Sequence, residues 1–259
     1  MELKKLKYRE LDKMYLVIYT IKTPVQLEVE GRVKTRNMYT FIGITVKGKR
    51  KYLNYGVDVN EDTDFWIQQF KNIVRRGTEK VMYITLGEEK GRRAAQITFQ
   101  GIKVMPDLFR LIDKTFPYFS DTYKNKMPEE IRRLYICETK EEYRKELESF
   151  MYKYGDKEIV KVLLENDLKS IEKIYEIPHN IRRVIYAFYF IRDYRKKVKK
   201  EMNQVKVIEE KEEFMERFEE IIEKMEQAMY LNKVEWLKVL NELIREEKEV
   251  VKYLWIMMN

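Results

Sequence analysis

The sequence predicts an α/β fold in which a mixed β-sheet is followed by a long helical region. Short runs of β-branched and aromatic residues, which are typical of strands, recur within residues 1–105. Segments with the apolar spacing of helices lie between these runs, and from Pro106 onward the spacing is almost entirely helical. The resulting order of strand, hairpin, helix, strand, helix and strand is typical of an α/β domain with a mixed sheet.

Five runs are predicted to be strands. They are Met14–Lys22, Tyr39–Val46, Lys51–Val57, Val81–Leu86 and Ile102–Met105. Gly48 and Lys49 stand between the second and third runs. Because a glycine permits the backbone angles of a tight turn, we predict a hairpin at this point.

Two helices are predicted between the strands. The first covers residues 61–76, and its apolar side chains share one face: Phe65, Trp66, Phe70, Ile73 and Val74. Gly77 follows it directly, and glycine is the residue that most often ends a helix in the left-handed conformation. The second predicted helix covers Arg92–Phe99.

The second half is predicted to consist of helices. Thr139 and Glu142 have the spacing of a capping box at a helix start. Further helices are predicted over residues 158–175 and Ile181–Lys200, with a break at Ile177–Asn180 between them. From about Val205 we predict two or more helices with one apolar stripe: Phe214, Phe218, Ile221, Ile222 and Met225. We expect this stripe to pack on the body of the protein or on a second copy, which makes a homo-oligomer a predicted partner state.

Composition excludes several classes of protein. The chain has 259 residues with 44% hydrophobic content, enough for one large domain or two small ones. The lone Cys137 excludes an intrachain disulfide and a cysteine-rich zinc site, and the lone His179 argues against a histidine-based metal site. The first apolar run is too short to span a bilayer, so we expect a cytoplasmic protein with no membrane partner.

Charge is distributed unevenly along the chain. Residues 201–259 hold 9 basic and 15 acidic residues, a net charge of −6. Residues 1–200 hold 43 basic and 29 acidic residues, a net charge of +14. A basic body suggests a polyanionic partner. The alternative explanation is a proteome rich in Lys and Glu, as encoded by an AT-rich or thermophilic genome.

Four segments, in order, resemble the catalytic domain of Mutator-type DNA transposases. They are Glu61–Gly77 with its Phe-Trp pair, Val81–Gly91, Thr139–Gly155 and Ile177–Lys200. The resemblance covers roughly residues 12–200 and implies an RNase H-like core with an all-helical insertion before the last core helix. On this reading residues 1–105 form the core, 106–178 the insertion, 179–200 the final core helix with a basic end, and 201–259 an acidic helical tail.

The resemblance also implies which residues would be catalytic. Enzymes of this family cleave and transfer DNA strands with two Mg²⁺ ions held by three carboxylates. Here the three positions fall on Val17, Leu86 and Arg192. A small alignment slip lets Glu88 or Asp193 stand in for the second and third acids. No slip supplies the first, because residues 13–27 contain no acid.

We therefore predict a degenerate transposase that is catalytically inactive and binds no Mg²⁺. The family's Cys-x-x-His pair is missing too, since it falls close to Pro106 and Phe109. Three possibilities stay open at this point. The chain is a remnant without function, a co-opted nucleic-acid-binding protein, or a protein-interaction scaffold built on its helical tail.

Weak, non-specific DNA binding is the activity that the sequence predicts to survive. The candidate contacts are basic residues in and before the predicted final core helix: Arg182, Arg183, Arg192, Arg195, Lys196, Lys197, Lys199 and Lys200. A cluster this dense suits contacts to phosphates. The alternative is a solvated helix end, where cations are also favoured. For Arg192 a further alternative is an internal ion pair with Glu88 or Glu89.

Overall fold

A five-stranded mixed sheet lies at the centre of the protein. The computed structural model describes residues 6–29, 32–58, 62–119, 121–154, 171–203, 211–226, 231–247, 250–253 and 255. The strands are β1 (Met14–Val29), β2 (Arg32–Thr45), β3 (Arg50–Asp58), β4 (Lys80–Thr85) and β5 (Lys103–Met105). Their order is β3-β2-β1-β4-β5. The β1–β2 and β2–β3 pairs are antiparallel, whereas the β1–β4 and β4–β5 pairs are parallel. The predicted α/β class and mixed sheet are confirmed.

Helices account for most of the remaining described chain. In the first half they are α1 (Thr63–Arg75), α2 (Glu89–Thr98) and α3 (Leu108–Thr115). In the middle they are α4 (Asp121–Lys124), α5 (Met127–Ile136) and α6 (Lys140–Tyr154). Towards the end they are α7 (His179–Ile185), α8 (Phe188–Asn203), α9 (Lys211–Glu226) and α10 (Lys233–Glu246).

Local sequence signals account for several element boundaries. The Asp62 side chain accepts a hydrogen bond from the N–H of Phe65 and begins α1. Gly77 follows α1 with a φ of 114°, as its predicted role as a helix stop requires. The Thr139 hydroxyl accepts a hydrogen bond from the N–H of Glu142, which caps α6 as predicted. Gly48 adopts a φ of 73° in the predicted β2–β3 turn.

The two faces of the sheet are covered by different helices. On one face α1 and α2 bury an aromatic cluster in which Trp66 lies 4.6 Å from Tyr39 and 6.1 Å from Phe70, measured between ring centroids. On the other face α8 packs on β1. The larger buried cluster on that side also includes residues of α3, α5 and α9. The strands therefore supply side chains to two cores, for example Tyr19 to the larger one and the adjacent Ile18 to the aromatic one.

Some boundaries differ from those predicted. β1 runs to Val29 rather than to Lys22, because cross-strand pairing with β2 continues there. The predicted helix Ile181–Lys200 is two helices, α7 and α8, interrupted at Tyr186 and Ala187. Val74, predicted to be buried with the other apolar residues of α1, is 39% exposed. The predicted helix over residues 158–175 falls mostly outside the described residues, which resume at 171.

The C-terminal helices pack on the body of the protein. All five residues of the predicted apolar stripe of the tail are buried. The Phe218 ring lies 5.3 Å from that of Tyr55 on β3, and α10 packs against α7. The stripe therefore offers no exposed surface to a partner helix, which removes the main sequence argument for a scaffold. A homo-oligomer stays a prediction.

Candidate functional site

A cavity of about 360 Å³ opens where parallel strands β1 and β4 stop pairing. Tyr19 and Thr85 form the last pair of this ladder, and the cavity lies just beyond it. Loops and helices that follow parallel strands meet at such an edge, so side chains distant in sequence converge there. The lining comes from β1, β2, the turn after β4, α3 and α8: Thr20, Ile21, Lys22, Tyr39, Thr85, Leu86, Gly87, Glu88, Asp107, Phe109, Arg110, Asp113, Lys114, Ile191 and Arg195.

Only one of the three positions expected to carry carboxylates lines this cavity. Leu86 does so and is buried. Val17 lies deeper along β1, in the core under α8, and is also buried. Arg192 lies on the outer side of α8, and the cavity is instead reached by its neighbours Ile191 and Arg195.

Glu88 and Asp193, the two acids that could replace the missing carboxylates, do not lie in one site. Glu88 lines the cavity, with a carboxylate oxygen 3.5 Å from the Lys22 ammonium nitrogen. Asp193 is exposed on α8 and pairs with Arg192 at 2.8 Å. Within the described ranges, no three His, Cys, Asp or Glu side chains come close enough to hold a metal ion. These residues therefore do not fit a pair of Mg²⁺ ions, which require several converging oxygen ligands.

The same contacts decide the alternative pairing of Arg192. Its guanidinium bonds to its neighbour Asp193 and lies 5.0 Å from the Tyr189 ring centroid. Glu89 pairs with Arg93, and Glu88 lies beside Lys22. An internal pair between Arg192 and either glutamate is therefore wrong for this structure, because both acids engage other bases.

Asp107 is the cavity residue that sequence reasoning missed. Its carboxylate caps α3 by accepting a hydrogen bond of 2.9 Å from the N–H of Phe109. Burial raises the pKa of Asp107 to about 6, and the nearby positive charge of Arg195 only partly opposes this shift. The signal that could have revealed it is an aspartate between Pro106 and an apolar helical run, which is an ordinary helix start.

Arg182 does not belong to the surface. Its side chain is among the largest fully buried ones, with 2% exposure. The three guanidinium nitrogens donate to the carbonyl oxygens of Ile177, Cys137 and Glu138 at 2.8 to 2.9 Å. The guanidinium carbon also lies 4.1 Å from the Tyr175 ring centroid. As a phosphate contact Arg182 is therefore a wrong prediction, because its donors already join α7 to the segment after α5.

The remaining predicted basic residues lie on the surface of α7 and α8. Ile191, Tyr194 and Val198 form the buried side of α8. On the opposite side four lysines are exposed: Lys196, Lys197, Lys199 and Lys200. Arg192 and Arg195 are half-buried, and Arg195 pairs with Asp113 at 2.7 Å. Arg183 is exposed on α7 and lies 3.3 Å from Glu235 of α10. Helical periodicity thus separates an apolar side from a basic one.

Comparison with models of known protein families gives a match over residues 1–231, to the family described as "Transposase, Mutator family". The chain belongs to the Mutator family of transposases. The match contains the whole sheet, the cavity and α8, and ends before α10. A comparison with curated proteins gave no significant match to this Mutator-family chain. Across the described residues, no helix has both the length and the apolar character needed to cross a membrane.

Proposed function

We propose that this Mutator-family chain has lost metal-dependent DNA cleavage and strand transfer and keeps weak, non-specific DNA binding through α8. One observation carries the proposal. In a chain matched to a transposase family over residues 1–231, the three positions expected to bear carboxylates are Val17, Leu86 and Arg192. Valine and leucine offer no ligand atom, and a guanidinium repels the cations that a third carboxylate would attract.

The arrangement of the sheet supports an RNase H-like core as part of this proposal. Such a core needs two carboxylates on neighbouring strands and a third on a helix packed beside them. Val17 lies on β1, Leu86 directly follows the adjacent parallel strand β4, and α8 packs on β1. We further propose that residues 106–178 are the helical insertion between this core and its final helix.

Electrostatics support the DNA-binding part. Phosphate contacts provide most of the affinity of non-specific binding, and they require cations that solvent can reach. The outer side of α8 presents the exposed Lys196 and Lys199 and, on the same face, the half-buried Arg192, at spacings of four and three residues. Arginine at 192 can donate two parallel hydrogen bonds to a phosphate at the place that the family's carboxylate would occupy.

The loss of catalysis is tested with the purified chain and supercoiled plasmid. We expect no Mg²⁺- or Mn²⁺-dependent nicking above buffer. The double variant Glu88→Ala with Asp193→Ala is the control, since it removes the two possible stand-in acids. Nicking by the unmodified chain that this variant lacks would show that the chemistry survives.

DNA binding is tested by fluorescence anisotropy with a labelled duplex at several salt concentrations. We expect a dissociation constant of roughly micromolar size at physiological salt, rising steeply with salt. Arg192→Glu with Lys196→Glu should abolish this salt-sensitive binding and leave the fold intact. The matched control is Lys71→Glu with Arg75→Glu, an equal charge change at exposed positions of α1, on the other face of the sheet.

Two results would contradict the proposal. One is unchanged affinity in the α8 variant, and the other is an equal loss of affinity in the α1 control. If the α8 variant instead keeps its affinity and loses thermal stability, Arg192 acts in folding rather than in binding.

A further inference from the structure

Strands β1 and β2 extend beyond the rest of the sheet. Their ladder continues to the pair Val29–Arg32, whereas the β2–β3 ladder ends at the pair Asn37–Asp58 and the β1–β4 ladder ends at Tyr19. Beyond these points, within the described part of the chain, the two strands pair only with each other. We call this two-stranded extension the ribbon, residues 25–29 of β1 and 32–36 of β2. At ~3.3 Å per residue it is about 17 Å long.

One face of the ribbon carries a row of basic residues. Arg32, Lys34 and Arg36 alternate along β2, and alternate residues of a strand point to the same face. Arg32 is exposed, and Lys34 and Arg36 are half-buried. The Arg36 Nε atom is buried and has no hydrogen-bond partner in the described structure. Positive charge is therefore concentrated on one side of a narrow projection.

The basic face of the ribbon is the sheet face that α8 covers. The even-numbered residues of β2 continue along this face from Arg36 to Thr40. The Tyr194 hydroxyl of α8 donates a hydrogen bond of 3.0 Å to Thr40 Oγ1, which places α8 over the same face. The opposite face of β2 in the ribbon carries Val33 and Thr35, which are exposed and uncharged.

The direction of α8 brings its basic end to the base of the ribbon. The Phe190 ring lies 5.9 Å from that of Tyr19, and Tyr194 bonds to Thr40, the cross-strand partner of Ile21. The helix therefore runs in the same direction as β1. The two distances agree, since Phe190 to Tyr194 spans ~6 Å along the helix and Tyr19 to Ile21 spans ~6.6 Å along the strand.

The same geometry locates the last turn of α8. From Tyr194 the helix continues ~12 Å to Met202, and from Thr40 the strand continues ~13 Å to Arg36. Lys199 and Lys200, both exposed, lie ~8 Å beyond Tyr194, which is about level with Met38 and so just short of the ribbon. The basic end of α8 therefore lies near the base of the ribbon, on the same side of the sheet.

We propose that the ribbon enters the major groove of duplex DNA while the end of α8 contacts the neighbouring phosphates. This inference rests on the proposed DNA binding. The two backbones of a ribbon lie about 5 Å apart, and side chains bring the total width to roughly 10 Å. A major groove about 12 Å wide accepts a two-stranded ribbon of this size, and a minor groove about 6 Å wide does not. A row of alternating cations on one face suits the phosphates of this partner better than it suits an apolar protein surface.

The test uses the whole chain and a labelled duplex of 25 base pairs. Arg32→Ala with Lys34→Ala should weaken binding roughly tenfold at moderate salt. It should also lower the slope of log affinity against log salt by about 2, because two phosphate-neutralising cations are removed. Lys71→Ala with Arg75→Ala is the matched control and should leave both quantities unchanged. Thermal melting by circular dichroism checks that every variant is folded.

Competition with groove-specific dyes identifies the groove. Methyl green, a major-groove ligand, should displace the unmodified chain, and netropsin, a minor-groove ligand, should not. Protection of guanine N7 from dimethyl sulfate should appear with the unmodified chain and disappear with the ribbon variant. Displacement by netropsin alone would overturn the placement in the major groove.

The outcomes separate this inference from the proposed function. If the unmodified chain does not bind duplex DNA, both are wrong. If it binds, loses affinity in the α8 variant and keeps full affinity in the ribbon variant, the ribbon proposal alone is wrong. Loss of affinity in both variants, with the α1 control unaffected, supports both.

Discussion

Adjacent arginines on α7 provide the sharpest test of how burial decides the role of a basic residue. Arg182 is buried and donates to three backbone carbonyls, whereas Arg183 is half-exposed and has one acidic neighbour. We compare Arg182→Met with Arg183→Met, because methionine replaces most of the arginine stem and removes the charge. The two residues are of the same type and adjacent in the sequence, so the two variants differ mainly in the environment of the replaced side chain.

The expected effects follow from these contacts. Hydrogen bonds to a charged group contribute about 1.5–3 kcal/mol each, and a buried carbonyl left without a partner costs about 1–3 kcal/mol. Three such carbonyls together should lower stability by roughly 5 kcal/mol. Part of this loss is offset, because burying a charged guanidinium is itself unfavourable. Burial lowers the pKa of Arg182 for the same reason. We expect Arg182→Met to lower the free energy of unfolding by about 4 kcal/mol. Arg183→Met should change it by at most about 0.5 kcal/mol, as for other exposed ion pairs.

Urea unfolding followed by circular dichroism measures both effects, and anisotropy with duplex DNA measures binding by the folded fraction. Arg182→Lys serves as a milder variant if the methionine variant does not fold, since one ammonium cannot reach three separate carbonyls. We expect it to be destabilised by about 2 kcal/mol. The reasoning is refuted if Arg182→Met keeps the stability of the unmodified chain and weakens DNA binding, which is the behaviour of a surface phosphate contact.

Two further predictions concern the cavity and the C-terminal helices. Because the pKa of Asp107 is raised to about 6 in the folded chain, the folded state binds its proton more tightly than the unfolded state, and stability should fall as pH rises from about 4 to about 6. Asp107→Asn keeps the capping oxygen and should remove this fall in stability. At pH ~7.5 its free energy of unfolding, measured with urea, should be ~2 kcal/mol higher than that of the unmodified chain. If the variant keeps the original dependence of stability on pH, the prediction is wrong. Trp236 donates its indole N–H to the Val46 carbonyl and lies over Gly48. Trp236→Ala should lower the free energy of unfolding by about 3–5 kcal/mol and expose α10 to limited proteolysis, whereas unchanged proteolysis would mean that α10 is held by other contacts.

Much of the local structure was predictable because its causes lie within a few residues. Gly77 ends α1 and Thr139 begins α6, since each acts on backbone groups of its own turn. The strand runs were predictable because strands and helices have different apolar periods. The full length of β1 was not predictable from its own pattern. Its extension to Val29 depends on pairing with β2, and that partner lies across a turn rather than within the run.

The candidate site was only partly predictable for the same reason. The sequence placed Leu86 at the site and showed that residues 13–27 hold no acid, which is a statement about composition that no folding can change. It did not predict Asp107 and Arg195 as cavity residues, because α3 and α8 meet there only when the sheet is assembled.

What the sequence determined by itself is therefore the class of the fold, the family resemblance and the absence of any acid from residues 13–27. Tertiary structure alone decided that Arg182 holds the fold together while Arg183 faces solvent, and that the basic rows of α8 and the ribbon lie on one sheet face. The physical reason is that the role of a charge depends on its desolvation and its partners. Both are set by residues that lie far away in the chain and come close only in the folded protein.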